Sequence, residues 1–564
     1  MLFLALSVFL IPYAGIQEDE ALFTTPLYLH IGNEFRVRIL HHDVYMMVIS
    51  YIGALKTALF VPIFSLFGAN AWSLRLPVVL LGAGTVFVFY FIAEQSAGRW
   101  AALLAALLLA TDPVFLLTNT FDWGPVAVEH ILLVTGVFCV ARANRSEGTM
   151  ASRPISPHGP LPGGLLRLAR SGSERKYLIL GFLCFGLALW DKAVFVWALA
   201  GLTAAGLLVF WPELSKMATR SNLRTAAAAF LVGILPLVVY NVRHKSATLR
   251  ENAHFDPRGP IHKWTQLENA LNGSSLFGYM VSEEWRPNPK PAATCIGRAS
   301  VWLRDRLGER RSTGLYYVFS LLVIAVPLWW TLRAARFSLV FMTVTWLAMA
   351  LTRDAGGAAH HVVLLWPFPI LFLATGVGRA FRAHRRVWRL LAAYAAAALI
   401  AMNLVVLNQY VAQFERYGPS ETFTDGIYPL SDDLTAFAGR PVYVIDWGMA
   451  NPLAFLHQGR LNLKFGSGPL MDDSPSEAQQ KAVRAMIANP GAVFVAHIAG
   501  EEMFPMVNER LDRVAASLGF RKELLQTAAD SNGRPRFEVF QFVPGADPGA
   551  PRGSGTRPTD SPTP

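Results

Sequence analysis

Glu18, Asp19 and Glu20 stand together directly after an apolar N-terminal run, Met1 to Ile16. Asp122 precedes Trp123-Gly124-Pro125, and Glu129 follows seven residues later, two turns on along the same helix face. Asp191 and Lys192 fill a two-residue break between two apolar runs, and Arg353, Asp354, His360 and His361 fill another. Charged groups beside apolar segments of this kind are expensive, so their positions carry information. A carboxylate can accept a proton in a general-base step, and a cation can stabilise a developing anion. Both kinds of group recur at these breaks.

Each has a purely structural alternative. The acidic triplet also reads as a solvated helix end, Asp122 as an N-cap for the helix that follows, and Asp191–Lys192 as an interfacial ion pair. The adjacent histidines point different ways on a helix, and no HExxH-like spacing accompanies them, so no metal and no cofactor is expected. Asn272-Gly273-Ser274 is a formal glycosylation sequon, of weight only in a eukaryotic secretory setting.

The elements that must carry these residues are membrane helices. Hydrophobic residues make up 53% of the 564 residues and charged residues only 16%, against about 25% for a soluble globular protein. Disorder, collagen and a disulfide scaffold are excluded; Cys139, Cys184 and Cys295 form no CxxC pair. Eleven apolar segments can span: 2–16, 73–94, 101–117, 124–141, 177–190, 193–211, 225–241, 315–332, 337–351, 361–378 and 390–408. The first lacks a basic leader region and a cleavage site, so it is read as a span rather than a signal peptide. Segment 45–67, with Lys56, Pro62 and Gly68, is expected as a helix on the membrane surface.

Charge fixes the orientation. With the N-terminus in the cytoplasm, the inner loops hold eighteen Lys and Arg and the short outer loops hold two, Lys192 and Arg353. The net charge of +11 therefore reflects loop placement and not a nucleic-acid partner. The breaks described above all fall on the outer side, where they enclose a cavity with acidic and cationic groups together.

Three regions are expected outside the membrane: a first outer loop, 17–72, with surface helices; a long loop, 242–314; and an α/β domain, 409–543. In the last, Val442–Ile445, Ala492–Ala496 and Phe537–Phe542 read as strands. Ser474-Pro475-Ser476-Glu477 reads as a capping box opening a helix over 475–488, and a second helix over 503–518 ends at Gly519. Residues 544–564 hold six Pro and four Gly and are expected to be disordered. The fold class is thus an α-helical polytopic membrane protein of about 11 helices with a small C-terminal extracytoplasmic α/β domain.

Several stretches resemble the GT-C glycosyltransferases, in particular glycosyltransferase family 39, the protein O-mannosyltransferase and aminoarabinose transferase group. They are Asp19-Glu20 after the first span, Tyr51 to Lys56, Pro62 to Gly68, Ser73-Leu74-Arg75-Leu76-Pro77, Ala101 to Pro113, Phe121 to Pro125, and Gly186-Leu187-Ala188 with Lys192. The resemblance covers about residues 10–200. It departs from the family pattern at Asp191, where a small residue is usual, and around His41-His42-Asp43.

The resemblance implies a transmembrane catalytic domain, 1–408, that moves a hexosyl or pentosyl group from a polyprenyl-phosphate carrier to an extracytoplasmic lipid, glycan or protein. It implies membrane lipids as surroundings and a bacterial inner membrane with the active site on the periplasmic side. By resemblance Asp19 is the base, with Asp122 and Glu20 as the further acidic positions. Lys192 is the cation for the leaving phosphate, backed by Arg353, His360 and His361, and Glu129 and Arg75 line the cavity. The competing readings are a transporter or flippase of lipid-linked sugars, which calls for midplane polar groups in repeated halves, and a noncatalytic receptor.

Overall fold

The computed structural model describes residues 1–29, 35–146, 174–353 and 356–545. Most of the loop between Arg142 and Lys176, Asp354, and the tail beyond Gly545 lie outside the described residues.

Each of the eleven apolar segments is helical. Among the described residues six helices are long and apolar enough to cross a membrane: Ala71–Ala97, Val126–Ala143, Ala193–Met217, Arg220–Arg243, Ala359–Phe381 and Arg386–Tyr417. Two other expected spans lie in unbroken 18-residue helices with charged ends, Glu174–Asp191 and Arg333–Ala350, and the remaining three are shorter or broken. Leu2–Leu10 runs into a 3-10 turn at Ile11–Tyr13, Arg99–Thr111 stops before Pro113, and Leu315–Ile324 stops before Pro327. Proline lacks the N–H that a continuing helix needs, so the latter two breaks follow from sequence. The long helices leave Leu80, Phe87, Leu208, Leu231, Leu235 and Leu391 exposed. Apolar faces of this extent belong in hydrocarbon, and the protein is a multi-pass membrane protein.

The first outer loop differs from its expected form. Residues 45–53 are not helical: β1 (Phe35–Ile39), β2 (His42–Ile49) and β3 (Ile52–Gly53) form an antiparallel meander in sequence order. The helix starts only at Leu55 and runs to Phe67. Val44, Val48 and Ile49 are β-branched and suit the pleated sheet.

The last span continues as one helix to Tyr417, past the domain boundary expected at 408. Beyond it lies a mixed five-stranded sheet in the order β5-β4-β6-β8-β7. β4 (Pro441–Val444), β5 (Asn462–Phe465) and β6 (Val493–His497) run parallel, and β7 (Phe520–Ala529) and β8 (Pro535–Pro544) pair antiparallel on one edge. Parallel neighbours need crossovers. Helices Ala450–Leu456, Glu477–Ile487 and Pro505–Ser517 lie between the successive strands from β4 to β7.

β6 is buried along its whole length, as a central strand should be. Val493 and Val495 face Leu430, Leu434 and Leu453 on one side; Phe494 and Ala496 face Val483, Ile487 and Leu511 on the other. The helix cap sits two residues later than expected: Ser476 pairs with Gln479 in the capping box, because Pro475 precedes the cap instead of following it.

Candidate active site

Three consecutive carboxylates emerge from one short turn and go three ways. Leu2–Tyr13 and Glu18–Tyr28 meet at a bend of 112°. Residues 18–28 therefore leave the axis of the first span and pack against the helix Ala450–Leu456 of the C-terminal sheet domain. Gln17 caps the turn: its Oε1 accepts the N–H groups of Asp19 (2.7 Å) and Glu20 (3.0 Å), and Glu20 reaches back to the Gln17 N–H. In a helix, successive side chains are about 100° apart, so a rigid turn sends each acid to a different neighbour.

Glu20 goes to Arg75. The guanidinium donates to Glu20 Oε1 (2.7 Å) and Oε2 (2.8 Å) and to the carbonyls of Ile11, Ala14 and Gly15. All five Arg75 donors are used, and the group is 0% exposed. Glu20, expected among the catalytic carboxylates, and Arg75, expected to line the cavity, are instead the anchor that ties the loop to the helix Ala71–Ala97. Glu18 is buried and accepts the backbone N–H of Asn451. Burial pushes its carboxyl up to about 8.

Asp19 keeps a half-buried carboxylate. Burial raises its pKa, while its contact with Gln17 and the positive charge of Lys192 hold it down. The Asp19 charge also reaches Tyr51 and Tyr279, whose hydroxyls burial keeps protonated. A partly accessible carboxylate that makes no salt bridge among the described residues is suited to take a proton.

Asp122 has no such freedom. Its Oδ2 lies 2.8 Å from Lys56 Nζ, and its Oδ1 accepts the N–H groups of Val126 (2.8 Å) and Ala127 (3.3 Å). It caps the fourth-span helix and neutralises a buried ammonium at once. Lys56 sits 4.2 Å over the ring of Phe23. The structure thus takes Asp122 out of the set of open carboxylates and adds Lys56, which apolar flanks on both sides disguise in the sequence.

Lys192 is placed by strand-like pairing. It bridges Ile52 antiparallel, and the Ala193 N–H donates to Tyr51 O (2.8 Å). This stitches the first outer loop to the turn between the fifth and sixth spans. The ammonium lies over Gly124, where φ is +106° and a Cβ would come within 3.1 Å of Nζ. Lys192 is 2% exposed and makes no salt bridge among the described residues, so the neighbouring Asp191–Lys192 pair is not an ion pair. Both Asp191 oxygens and Glu129 Oε1 are buried without a hydrogen-bond partner. Asp191 lies within reach of the charges of Glu129, Lys56, Asp122 and Lys192.

His360 and His361 join this group, their rings 4.1 Å apart. His360 Nδ1 accepts the Trp123 indole N–H (2.7 Å), and His361 Nδ1 accepts the Gly356 N–H (3.1 Å). An accepting Nδ1 carries no proton, so both rings are neutral and present Nε2–H. They are donors and not the cations expected. The Lys192 charge reaches both. Arg353 does not join them. Its side chain is exposed, and its backbone holds His254 and Lys263. Among the described residues no group of three His, Cys, Asp or Glu side chains is arranged to hold a metal ion.

Along the same spans an apolar cavity of about 1000 Å³ is lined by Phe185 and Leu199 at one end, by Phe182, Phe230 and Phe337, and by Arg333 at the far end. Phe185 and Leu199 each stand seven residues from Lys192, about 10 Å along a helix.

The family model of dolichyl-phosphate-mannose-protein mannosyltransferases matches residues 53–148, the stretch that carries Lys56, Arg75, Asp122 and Glu129. YycA of Bacillus subtilis (strain 168), a mannosyltransferase by inference, is 35% identical over 81 residues; these are 14% of this chain and 11% of that protein's length. The fold is that of ArnT from Cupriavidus metallidurans, a GT-C architecture. The apo ArnT structure superimposes with a TM-score of 0.53 at 14% identity, covering 95% of this chain and 97% of ArnT. The ArnT structure bound to undecaprenyl phosphate gives 0.51 at 14% identity, with the same coverage of each chain.

Proposed function

We propose that this protein is a glycosyltransferase that moves a sugar from a polyprenyl-phosphate carrier to an extracytoplasmic acceptor hydroxyl. One observation carries the reading: a partly accessible carboxylate, Asp19, lies within reach of the charge of a buried ammonium, Lys192, that makes no salt bridge among the described residues and whose charge also reaches His360 and His361. The acceptor oxygen attacks the anomeric carbon and gives its proton to Asp19. The bond from that carbon to the phosphate oxygen breaks, and the lipid phosphate leaves with the bonding pair. Its new charge falls to Lys192 and the His360 and His361 N–H groups, in a site where little water competes. Attack opposite the leaving group inverts the anomeric centre.

The apolar cavity suits the hydrocarbon of such a carrier. The family match and the ArnT-like fold support the same class of reaction. The bacterial inner membrane, with the site on the periplasmic face, is the setting the loop charges favour.

The test is product formation by purified protein in nanodiscs supplied with a polyprenyl-phosphate sugar and envelope glycolipid or glycan acceptors, with inversion checked by NMR. Asp19→Asn preserves shape but not basicity and should lower turnover by about 10²–10⁴. Wild-type turnover in that variant removes the base assignment.

A further inference from the structure

The turn that presents Asp19 is held from above as well as from the side. The Gly15 N–H donates to Phe423 O (2.8 Å), and a Cβ at Gly15 would come within 1.9 Å of Thr424 O. Tyr428 Oη donates to Ala14 O (3.4 Å). Asn451, 5% exposed at the start of the helix Ala450–Leu456, makes three contacts with the loop. Its N–H donates to Glu18 Oε2 (3.2 Å), its Nδ2 to Glu18 O (3.5 Å), and its Oδ1 accepts Thr25 Oγ1 (3.2 Å). Phe455 of the same helix packs on Phe64, 5.1 Å between ring centres. All of these partners follow the last membrane span, and the Asn451 contacts join residues 426 and 433 positions apart in sequence.

We infer that the C-terminal sheet domain is a working part of the catalytic site, with Glu18 and Asn451 as positioning residues that fix the direction of the Asp19 carboxylate. The inference rests on Asp19 being the base of the proposed transferase. The physical reason is local. Arg75 holds Glu20 on one side of Asp19 and Asn451 holds Glu18 on the other, both at the side chain and at the carbonyl. With both neighbours fixed, the Asp19 backbone cannot rotate, and the carboxylate is pre-aimed. Loss of one clamp leaves the base present but misdirected. A misplacement of about 1 Å can cost about a hundredfold in rate.

The experiment uses the full chain in nanodiscs with a polyprenyl-phosphate sugar donor. Glu18→Ala removes the acceptor for the Asn451 N–H and should lower kcat by roughly ten- to a hundredfold, with the donor KM within about twofold. Glu18→Gln keeps an oxygen in that place and should restore kcat to within about threefold. Asn451→Ala keeps that N–H but removes the other half of the clamp, the Nδ2 contact to the Glu18 carbonyl and the Oδ1 contact to Thr25, and should also lower kcat at an unchanged donor KM. A residue that merely stabilised the fold would lower the yield of folded protein but leave kcat per folded molecule unchanged.

Unchanged kcat in folded Glu18→Ala overturns the inference. If Glu18→Ala does not fold, Asn451→Ala decides: a fall in kcat at constant KM upholds the inference, and wild-type kcat overturns it. Asp19→Asn is assayed alongside. If that variant keeps its turnover, the base reading and this inference fall together. If it is inactive while the clamp variants are normal, only this inference falls.

Discussion

Lys56 Nζ and Asp122 Oδ2 meet at 2.8 Å with both side chains at most 2% exposed. The pair joins the surface helix of the first outer loop to the head of the fourth span. Breaking a buried pair by removing one charge leaves the other stranded and costs about 3–5 kcal/mol. Asp122→Asn should therefore lower the melting temperature of the purified protein clearly, beyond any effect on turnover. Lys56→Met combined with Asp122→Asn should melt above Asp122→Asn alone, since neither charge is then left unpaired. A single variant that melts like the wild type would mean that the pair contributes nothing to stability.

Lys192→Ala should raise the donor KM by about tenfold or more while the protein accumulates normally. Its ammonium makes no salt bridge among the described residues, so its removal breaks no ion pair. Donor kinetics equal to wild type would take Lys192 out of phosphate binding and leave that task to the histidines.

The Asp19 carboxyl is raised above 3.8 by burial, although Gln17 and Lys192 oppose the shift. A general base works only when ionised. Hence kcat/KM should fall as pH drops through the raised value, and the acid limb should lie above the ordinary aspartate range. Lys192→Ala removes a charge that favours the ionised form, so the limb should move further up in pH. A pH–rate series on both proteins reads this directly; a limb that stays put in Lys192→Ala would uncouple the two residues.

Orientation is testable with fusions. A cytoplasmic reporter placed after Arg386 should be active, and an extracytoplasmic reporter placed after Gly418 should be active, because Arg379 to Arg389 carries five arginines to the inner side. Cytoplasmic activity at Gly418 would put the sheet domain on the other face of the membrane.

Composition and patterning alone settled the larger features. Apolar runs must be helical in hydrocarbon, where the backbone has no other partner, and helices occupy all eleven expected segments, six of them, among the described residues, long and apolar enough to cross a membrane. The strands β4, β6 and β8 were also legible. The continuous apolar stretch of β6, Val493-Phe494-Val495-Ala496, can be buried on both faces only in the middle of a sheet, while β8 is rich in Phe and Val broken by Glu538 and Gln541.

What the sequence hid has local causes. The β1–β2 hairpin turns at Leu40–His41, with φ of +47° and +69° and no Gly or Asn to announce it. β7, Phe520–Ala529, is a partly exposed edge strand whose Lys-Glu-Leu-Leu-Gln reads like a helix.

For the site, the sequence could assemble the charged groups on one side of the membrane but not assign partners to them. Whether a carboxylate is free or committed depends on what lies across from it, often hundreds of residues away. Only the tertiary structure decided that Glu20 is taken by Arg75, Asp122 by Lys56 and Glu18 by Asn451, while Asp19 and Lys192 remain open to each other. Hydrophobic period fixes which segments are buried. Burial then makes pairing obligatory, but the choice of pair belongs to the packing of distant elements.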